Sequence, residues 1–244
     1  MARILTEGHR GCAALYPENT LLSFKKAIEM GVDAVEFDIW LSKDHVPVIS
    51  HDRSLRRTCG VDVSVCDLTV EELKKLDPCY ADKFGETFRG QVEIPTLEEL
   101  LEFFKKTRPS LLLGVEIKQY TEETADRTVA LLKEYGFFDK CWLYAFNGRI
   151  IRYLKERYGA RTMAYPDFKM QEFCGYEWYD DIGIEMSVVK SEVFDIYPKK
   201  GLPMHLYCAD TPEDVELCIQ KGAVMITAND PRPLLKRIRG EEVL

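Results

Sequence analysis

Eight short apolar runs recur along the chain, near 3–7, 33–40, 111–117, 141–145, 161–165, 182–186, 203–207 and 224–227. Each has the length of a strand. Most are followed by stretches whose apolar residues return every three or four positions, the period of a helix lying on a sheet. In the first such stretch, opening near Thr20, Leu21, Phe24, Ala27 and Ile28 share one side and Gly31 ends the run. Helix starts are marked by the capping boxes Thr69-x-x-Glu72 and Thr96-x-x-Glu99, and by Thr211-Pro212 and Asp230-Pro231, where a capping side chain precedes a proline suited to the first turn. Alternation of this kind predicts parallel β/α units. Residues about 53–95 break it. They hold a short helix near 70–76 in otherwise irregular, polar sequence, and a segment of that length is expected to be a lid or a functional loop.

The same patterns locate candidate chemistry. In Ala34-Val35-Glu36-Phe37-Asp38-Ile39 the apolar residues alternate with the acids, so Glu36 and Asp38 share one strand face about 7 Å apart, from a rise of ~3.3 Å per residue. Leu111 to Lys118 repeats the device and puts Glu116 and Lys118 together at a strand end. Three converging carboxylates repel one another, and a hard cation such as Ca²⁺ or Mg²⁺ relieves the conflict. A solvated strand face is the ordinary explanation for one acidic pair, but Val35, Phe37 and Ile39 mark this strand as buried, where unpaired carboxylates are costly. His9, in Glu7-Gly8-His9-Arg10-Gly11, and His51, in Ser50-His51-Asp52, follow apolar runs at strand-to-loop junctions. An imidazole pKa near ~6.5 lets a pair divide acid and base work. Arg10 offers a fork for phosphate oxygens, and Gly8 and Gly11 leave room for backbone N–H groups to approach an anion.

Taken in order, His9-Arg10-Gly11, Pro17-Glu18-Asn19-Thr20, Glu36-x-Asp38, His51-Asp52, Ile94-Pro95-Thr96-Leu97-Glu98-Glu99 and Glu116-x-Lys118 resemble the motifs of the glycerophosphodiester phosphodiesterase family across nearly the whole chain. The resemblance implies a (β/α)₈ TIM barrel with a small insertion after the second strand, and hydrolysis of glycerophosphodiesters to glycerol 3-phosphate and an alcohol with Ca²⁺ or Mg²⁺. It implies His9 and His51 as the acid/base pair, Glu36, Asp38 and Glu116 as metal ligands, and Arg10 and Lys118 as phosphate contacts. It also implies that the insertion covers part of the active-site mouth. The chain departs from the family pattern near its C-terminal end. A usual Trp-Thr-Val-Asn/Asp stretch reads Tyr207-Cys208-Ala209-Asp210, and a usual Ile-Thr-Asp-x-Pro ending reads Thr227-Ala228-Asn229-Asp230-Pro231. Tyr207 retains a ring for lining the substrate pocket. These changes bear on recognition of the alcohol and glycerol groups more than on the reaction. A related lyase or lysophospholipid phosphodiesterase on the same barrel, and a non-catalytic glycerophosphodiester-binding protein, are the alternatives.

Composition narrows the picture further. A length of 244 residues is that of one (β/α)₈ domain, typically about 250 residues, so 1–244 is expected to be a single domain with its insertion at about 53–95. The net charge of −8 argues against nonspecific nucleic-acid binding. No apolar run reaches the ~18 residues of a membrane span, and Met1 to Glu7 turns polar too soon for a signal peptide. The eight scattered cysteines predict reduced, mostly buried thiols in a cytoplasmic protein, unless a leader has been removed; Cys59 and Cys66 are the pair to check for a disulfide. An aromatic stretch from Tyr165 through Phe168, Phe173, Tyr176, Trp178 and Tyr179, with Asp180 and Asp181 beside it, could wall a site for a cationic alcohol, although such clusters more often form core beneath a long loop.

Overall fold

Each of the eight apolar runs becomes a parallel strand in the computed structural model, which describes residues 3–240. The strands are β1 (Leu5–Gly8), β2 (Ala34–Leu41), β4 (Leu112–Ile117), β5 (Cys141–Tyr144), β6 (Thr162–Ala164), β7 (Asp181–Glu185), β8 (Met204–Tyr207) and β9 (Met225–Ala228). Strand β1 pairs with both β2 and β9, which closes the sheet into a (β/α)₈ barrel. A short extra strand, β3 (Pro47–Ile49), runs antiparallel to β2 and carries the chain towards His51.

The outer helices are α1 (Leu21–Met30), α2 (Leu97–Thr107), α3 (Glu122–Glu134), α4 (Gly148–Tyr158), α5 (Pro212–Gln220) and α6 (Pro231–Arg239). Their starts follow the sequence signals: Thr20 accepts from the Ser23 N–H, Thr96 and Glu99 complete a capping box, and Thr211 and Asp230 cap helices that open on proline. The alternation weakens after β6, where only 3₁₀ turns at Asp167–Lys169 and Tyr176–Trp178 lead to β7, and after β7, which is followed by the one-turn helix Met186–Val189. On the outside of β2, Val35, Phe37 and Ile39 are fully buried, and Phe37 meets Phe24 of α1 edge-on at 6.1 Å. That packing turns Glu36 and Asp38 into the barrel.

The segment 53–95 is better organised than its polar sequence predicts. It contains one-turn helices at Arg56–Cys59, Val70–Leu73 and Ala81–Phe84, and Leu55, Val65, Leu73 and Ile94 form a small core of their own with Val48 of β3. These residues come from widely spaced positions, so no period reveals them. The aromatic stretch is largely structural, as such clusters usually are: Tyr165 and Tyr179 are buried, and Phe173, Tyr176 and Trp178 pack against the core. Asp180 and Asp181 are not free for a ligand. Lys155 pairs with Asp180 at 2.5 Å, while Asp181, fully buried at the start of β7 and so at the opposite end of the barrel from the strand C-termini, is held by Arg161 and Trp142. All eight cysteines are free, Cys59 and Cys66 included, and burial pushes the Cys12, Cys141 and Cys218 thiols up to about 12.

Candidate active site

The loop after β1 is built around two glycines. A Cβ on Gly8 would lie 2.1 Å from the Gly11 carbonyl oxygen, and Gly11, at φ +88°, sits so close to Ser23 that its Cβ would fall 2.4 Å from the hydroxyl. Ser23 closes the turn by donating to the Arg10 carbonyl at 3.0 Å and accepting from the Cys12 N–H at 2.9 Å. The glycines are required for this close packing, and the Arg10 N–H is used on Glu36 Oε2 at 3.0 Å. A Gly8→Ala variant is expected to lose about 1–3 kcal/mol, the usual cost of overpacking a rigid contact, in urea unfolding; an unchanged midpoint would contradict this.

The strand register brings the acids together. Asp38 lies directly beside Glu116 across the β2–β4 pair, and Glu36 lies beside Gly114. Carboxylate oxygens of Glu36, Asp38 and Glu116 approach within 4.8 Å of one another, closer than the strand repeat of about 7 Å because the side chains lean inward. Two cations balance them: Lys118 Nζ is 2.7 Å from Glu116 Oε1 and 3.2 Å from Asp38 Oδ1, and Arg10 Nε is 3.5 Å from Asp38 Oδ2. Asn19 adds a hydrogen bond to Asp38 Oδ2 at 2.8 Å.

Burial pushes the Glu36 carboxyl well above the ordinary carboxylate range, and the Asp38 charge adds to this against the pull of Arg10. Burial also raises Glu116, with Lys118 opposing. For Asp38 burial works in the same direction, but Lys118 and Arg10 outweigh it and hold the group below its usual value. The set fits a divalent cation. Asp38 Oδ1 and Glu116 Oε1 are buried and share the Lys118 ammonium, and oxygens sharing one Ca²⁺ at about 2.3–2.6 Å lie within about 5 Å of each other.

A stability prediction follows. A carboxyl whose folded pKa is raised binds its proton more tightly in the folded state, so Glu36 and Glu116 erode stability as pH climbs from the unfolded value of ~4.3 towards their folded values. Asp38, being lowered, opposes this by a contribution that is lost only as pH falls through its folded value. A cation competes with the protons on the raised pair. Adding Ca²⁺ to chelated protein should therefore raise its melting temperature more near pH ~7.5 than near ~5.5, and an equal rise at both would contradict the assignment.

Both histidines stand at the rim of this cluster. His9 Nδ1 is 2.7 Å from Asn229 Oδ1, and its Nε2 is 3.7 Å from Glu36 Oε2. Burial alone would lower the His9 pKa; its neighbours Cys208 and Asn229 outweigh that and leave it raised, against the opposing charge of Arg10. His51 Nδ1 is 2.7 Å from Asp52 Oδ1. Asp52 in turn accepts from Arg57 Nε at 2.6 Å, while the two Arg57 amino groups grip Glu18 at 2.7 Å each, and Glu18 accepts from Arg10 at 2.9 Å. One guanidinium from the insertion thus ties the His51 loop to the Arg10 loop. Sequence patterning gave no signal for Arg57, and Glu18 and Asn19 stood out only as parts of a motif. An Arg57→Lys variant keeps the charge but loses the fork, and kcat/KM should fall about 10–100-fold, the range seen when a supporting partner is removed; an unaltered value would mean that the bridge is dispensable.

Beside Glu116 and Lys118, Phe146 and Tyr165 stack at 3.8 Å and Tyr207 stands edge-on to Tyr165 at 5.9 Å. Together with His9, His51 and Lys118 they line a cavity of about 430 Å³ at the C-terminal ends of the strands, the face where parallel barrels carry their chemistry. All eight residues singled out for function, His9, Arg10, Glu36, Asp38, His51, Glu116, Lys118 and Tyr207, thus meet at one end of the barrel. Residues 9–232 match the model of the glycerophosphoryl diester phosphodiesterase family. The chain belongs to that family. A glycerophosphodiester phosphodiesterase from Caldanaerobacter subterraneus is 32% identical over 97% of this chain and 98% of its own length. Among solved structures, an Oleispira antarctica phosphodiesterase in complex with the product sn-glycerol-3-phosphate superposes with a TM-score of 0.81 at 26% identity, covering 97% of each chain. The glycerophosphodiester phosphodiesterase from Thermotoga maritima gives 0.73 at 26% identity over 98% of this chain and all of its own. Like these relatives, this member of the family is an enzyme of the phosphoric diester hydrolase class.

Proposed function

We propose that this protein hydrolyses glycerophosphodiesters to glycerol 3-phosphate and an alcohol, using one divalent cation, Ca²⁺ or Mg²⁺, held by Glu36, Asp38 and Glu116. The observation that carries the reading is the meeting of three buried acids, two cations and two histidines at one open cavity, lined by all of them but the fully buried Asp38 and large enough for a small diester. When bound, the cation supplies Lewis acidity to the phosphate and charge neutralisation to the acid cluster. Arg10 and Lys118, both held rigidly by buried carboxylates, present positive charge to the phosphate oxygens. His9 and His51 divide the proton traffic: one takes a proton from the nucleophile and the other gives one to the departing alcohol. Tyr207 and the stacked Phe146–Tyr165 pair offer an apolar wall to the organic part of the substrate.

The wider reading is of one domain over 1–244, with 53–95 as an insertion beside the site. The His51–Asp52–Arg57 bridge supports its functional attachment. The eight free cysteines support a cytoplasmic location, where the enzyme would recover glycerol 3-phosphate from phospholipid breakdown. Among the described residues no helix is long and apolar enough to cross a membrane. The net charge of −8 supports a small-molecule substrate rather than a nucleic acid. Turnover of glycerophosphocholine and glycerophosphoethanolamine should disappear with excess chelator and return on adding Ca²⁺ or Mg²⁺; rates indifferent to chelation would overturn the metal-assisted reading.

A further inference from the structure

Three neighbouring strand ends carry a chain of side chains that leads from His9 to two residues without an assigned role. His9 follows β1, Asn229 follows β9 and Asp210 follows β8, and these strands lie side by side in the order β1–β9–β8. Asp210 accepts three N–H groups: Oδ1 takes the backbone N–H of Asn229 at 2.6 Å and of Asp230 at 3.1 Å, and Oδ2 takes Asn229 Nδ2 at 2.8 Å. A carboxylate can only accept, so it fixes which end of the Asn229 amide faces it. The amide oxygen is thereby turned to His9 Nδ1 at 2.7 Å, where it too can only accept. The proton of a neutral His9 is confined to Nδ1, and the lone pair on Nε2 is left facing the acid cluster, 3.7 Å from Glu36 Oε2.

We infer that Asp210 and Asn229 are positioning residues that set the tautomer of His9 and so present its Nε2 to the reacting groups. The inference rests on the reading of His9 as a proton carrier. Its test includes a readout independent of turnover, so the two can fail separately. His51 is oriented differently, by a carboxylate directly on Nδ1. The amide relay at His9 transmits the orientation fixed by Asp210 without placing a second negative charge against the ring.

An Asp210→Asn variant tests this with almost no change in shape. Its amide oxygen can keep the two backbone N–H groups, but its NH₂ then faces Asn229 Nδ2, donor against donor. The Asn229 amide turns over, its NH₂ meets His9 Nδ1, and the ring proton moves to Nε2. Nitrogen-15 NMR of the histidine rings, assigned with a His9→Gln control at a pH where the rings are neutral, should show Nδ1–H in the wild type and Nε2–H in Asp210→Asn. Because a wrong tautomer spoils the transition state rather than substrate binding, kcat should fall about 100-fold or more while KM changes less than about threefold. The double variant Asp210→Asn/Asn229→Asp exchanges donor and acceptor, returns an acceptor to His9 Nδ1, and should recover both the Nδ1–H signal and most of the lost rate. An Nε2–H ring in the wild type overturns the proposal without recourse to any variant. So does an Nδ1–H ring in Asp210→Asn, or a double variant no faster than the single.

Discussion

Asp38→Asn should turn over substrate at least about 10³-fold more slowly than the wild type and should bind Ca²⁺ or Mg²⁺ far more weakly. Asp38 is fully buried, and of the three clustered acids it is the one whose charge the protein stabilises, by Lys118 at 3.2 Å, Arg10 at 3.5 Å and Asn19 at 2.8 Å. Removing that charge takes away one proposed metal ligand and one partner each of Lys118 and Arg10, and a loss of about 4 kcal/mol in transition-state stabilisation is a factor near 10³ in rate. Glu36→Gln provides the contrast. The Glu36 carboxyl is raised, by burial and by Asp38, so its ionised form is a liability to the metal-free fold above the unfolded pKa of ~4.3. Glutamine imitates the protonated form, and metal-free Glu36→Gln should melt at or above the wild-type temperature at neutral pH while losing its response to the cation. Calorimetric titration and thermal melts check both variants. Activity within tenfold of wild type in Asp38→Asn would remove the acid cluster from the chemistry.

His9→Ala and His51→Ala should each lower kcat by about 10²–10⁴-fold, the usual contribution of a positioned acid or base, while both proteins keep their fold. Both rings stand at the cavity rim, partly exposed, and neither belongs to the barrel core. Their hydrogen-bonded supports, Asn229 for His9 and Asp52 for His51, lie on different loops and hold each ring independently. The two losses should nevertheless combine less than multiplicatively, because groups acting in one proton circuit fail together. Steady-state rates with far-ultraviolet circular dichroism check the pair. A near-normal rate in either variant would take that histidine out of the scheme.

Much of this site was readable before the fold was known, for a physical reason. Strand alternation has a period of two, so Glu36, Asp38 and Glu116 declared a shared inward face, and histidines at strand ends declared a loop facing the same space. The capped helix starts were readable because Thr69, Thr96, Thr211 and Asp230 act on their own next few residues. Partnerships across the barrel leave no local trace. Asn229 is 220 residues from His9, and Arg57 is 39 residues from Glu18. Only closure of β1 against β9 brings the first pair together, and only the fold of the insertion brings the second. The close packing around the two glycines of the His9 loop was hidden for the same reason. Their true neighbours, the Gly11 carbonyl and Ser23, become visible only when the turn is built.

The most direct test of the central claim is phosphorus NMR of the purified protein with glycerophosphocholine, glycerophosphoethanolamine, glycerophosphoglycerol and a lysophospholipid together, with Ca²⁺ or Mg²⁺ and then with excess chelator. Growth of glycerol 3-phosphate that stops on chelation is the predicted result, and the first diester to disappear identifies the preferred alcohol. A cyclic phosphate that persists would move the reaction to a lyase. A spectrum unchanged under every condition would contradict the assignment of this cavity to phosphodiester hydrolysis.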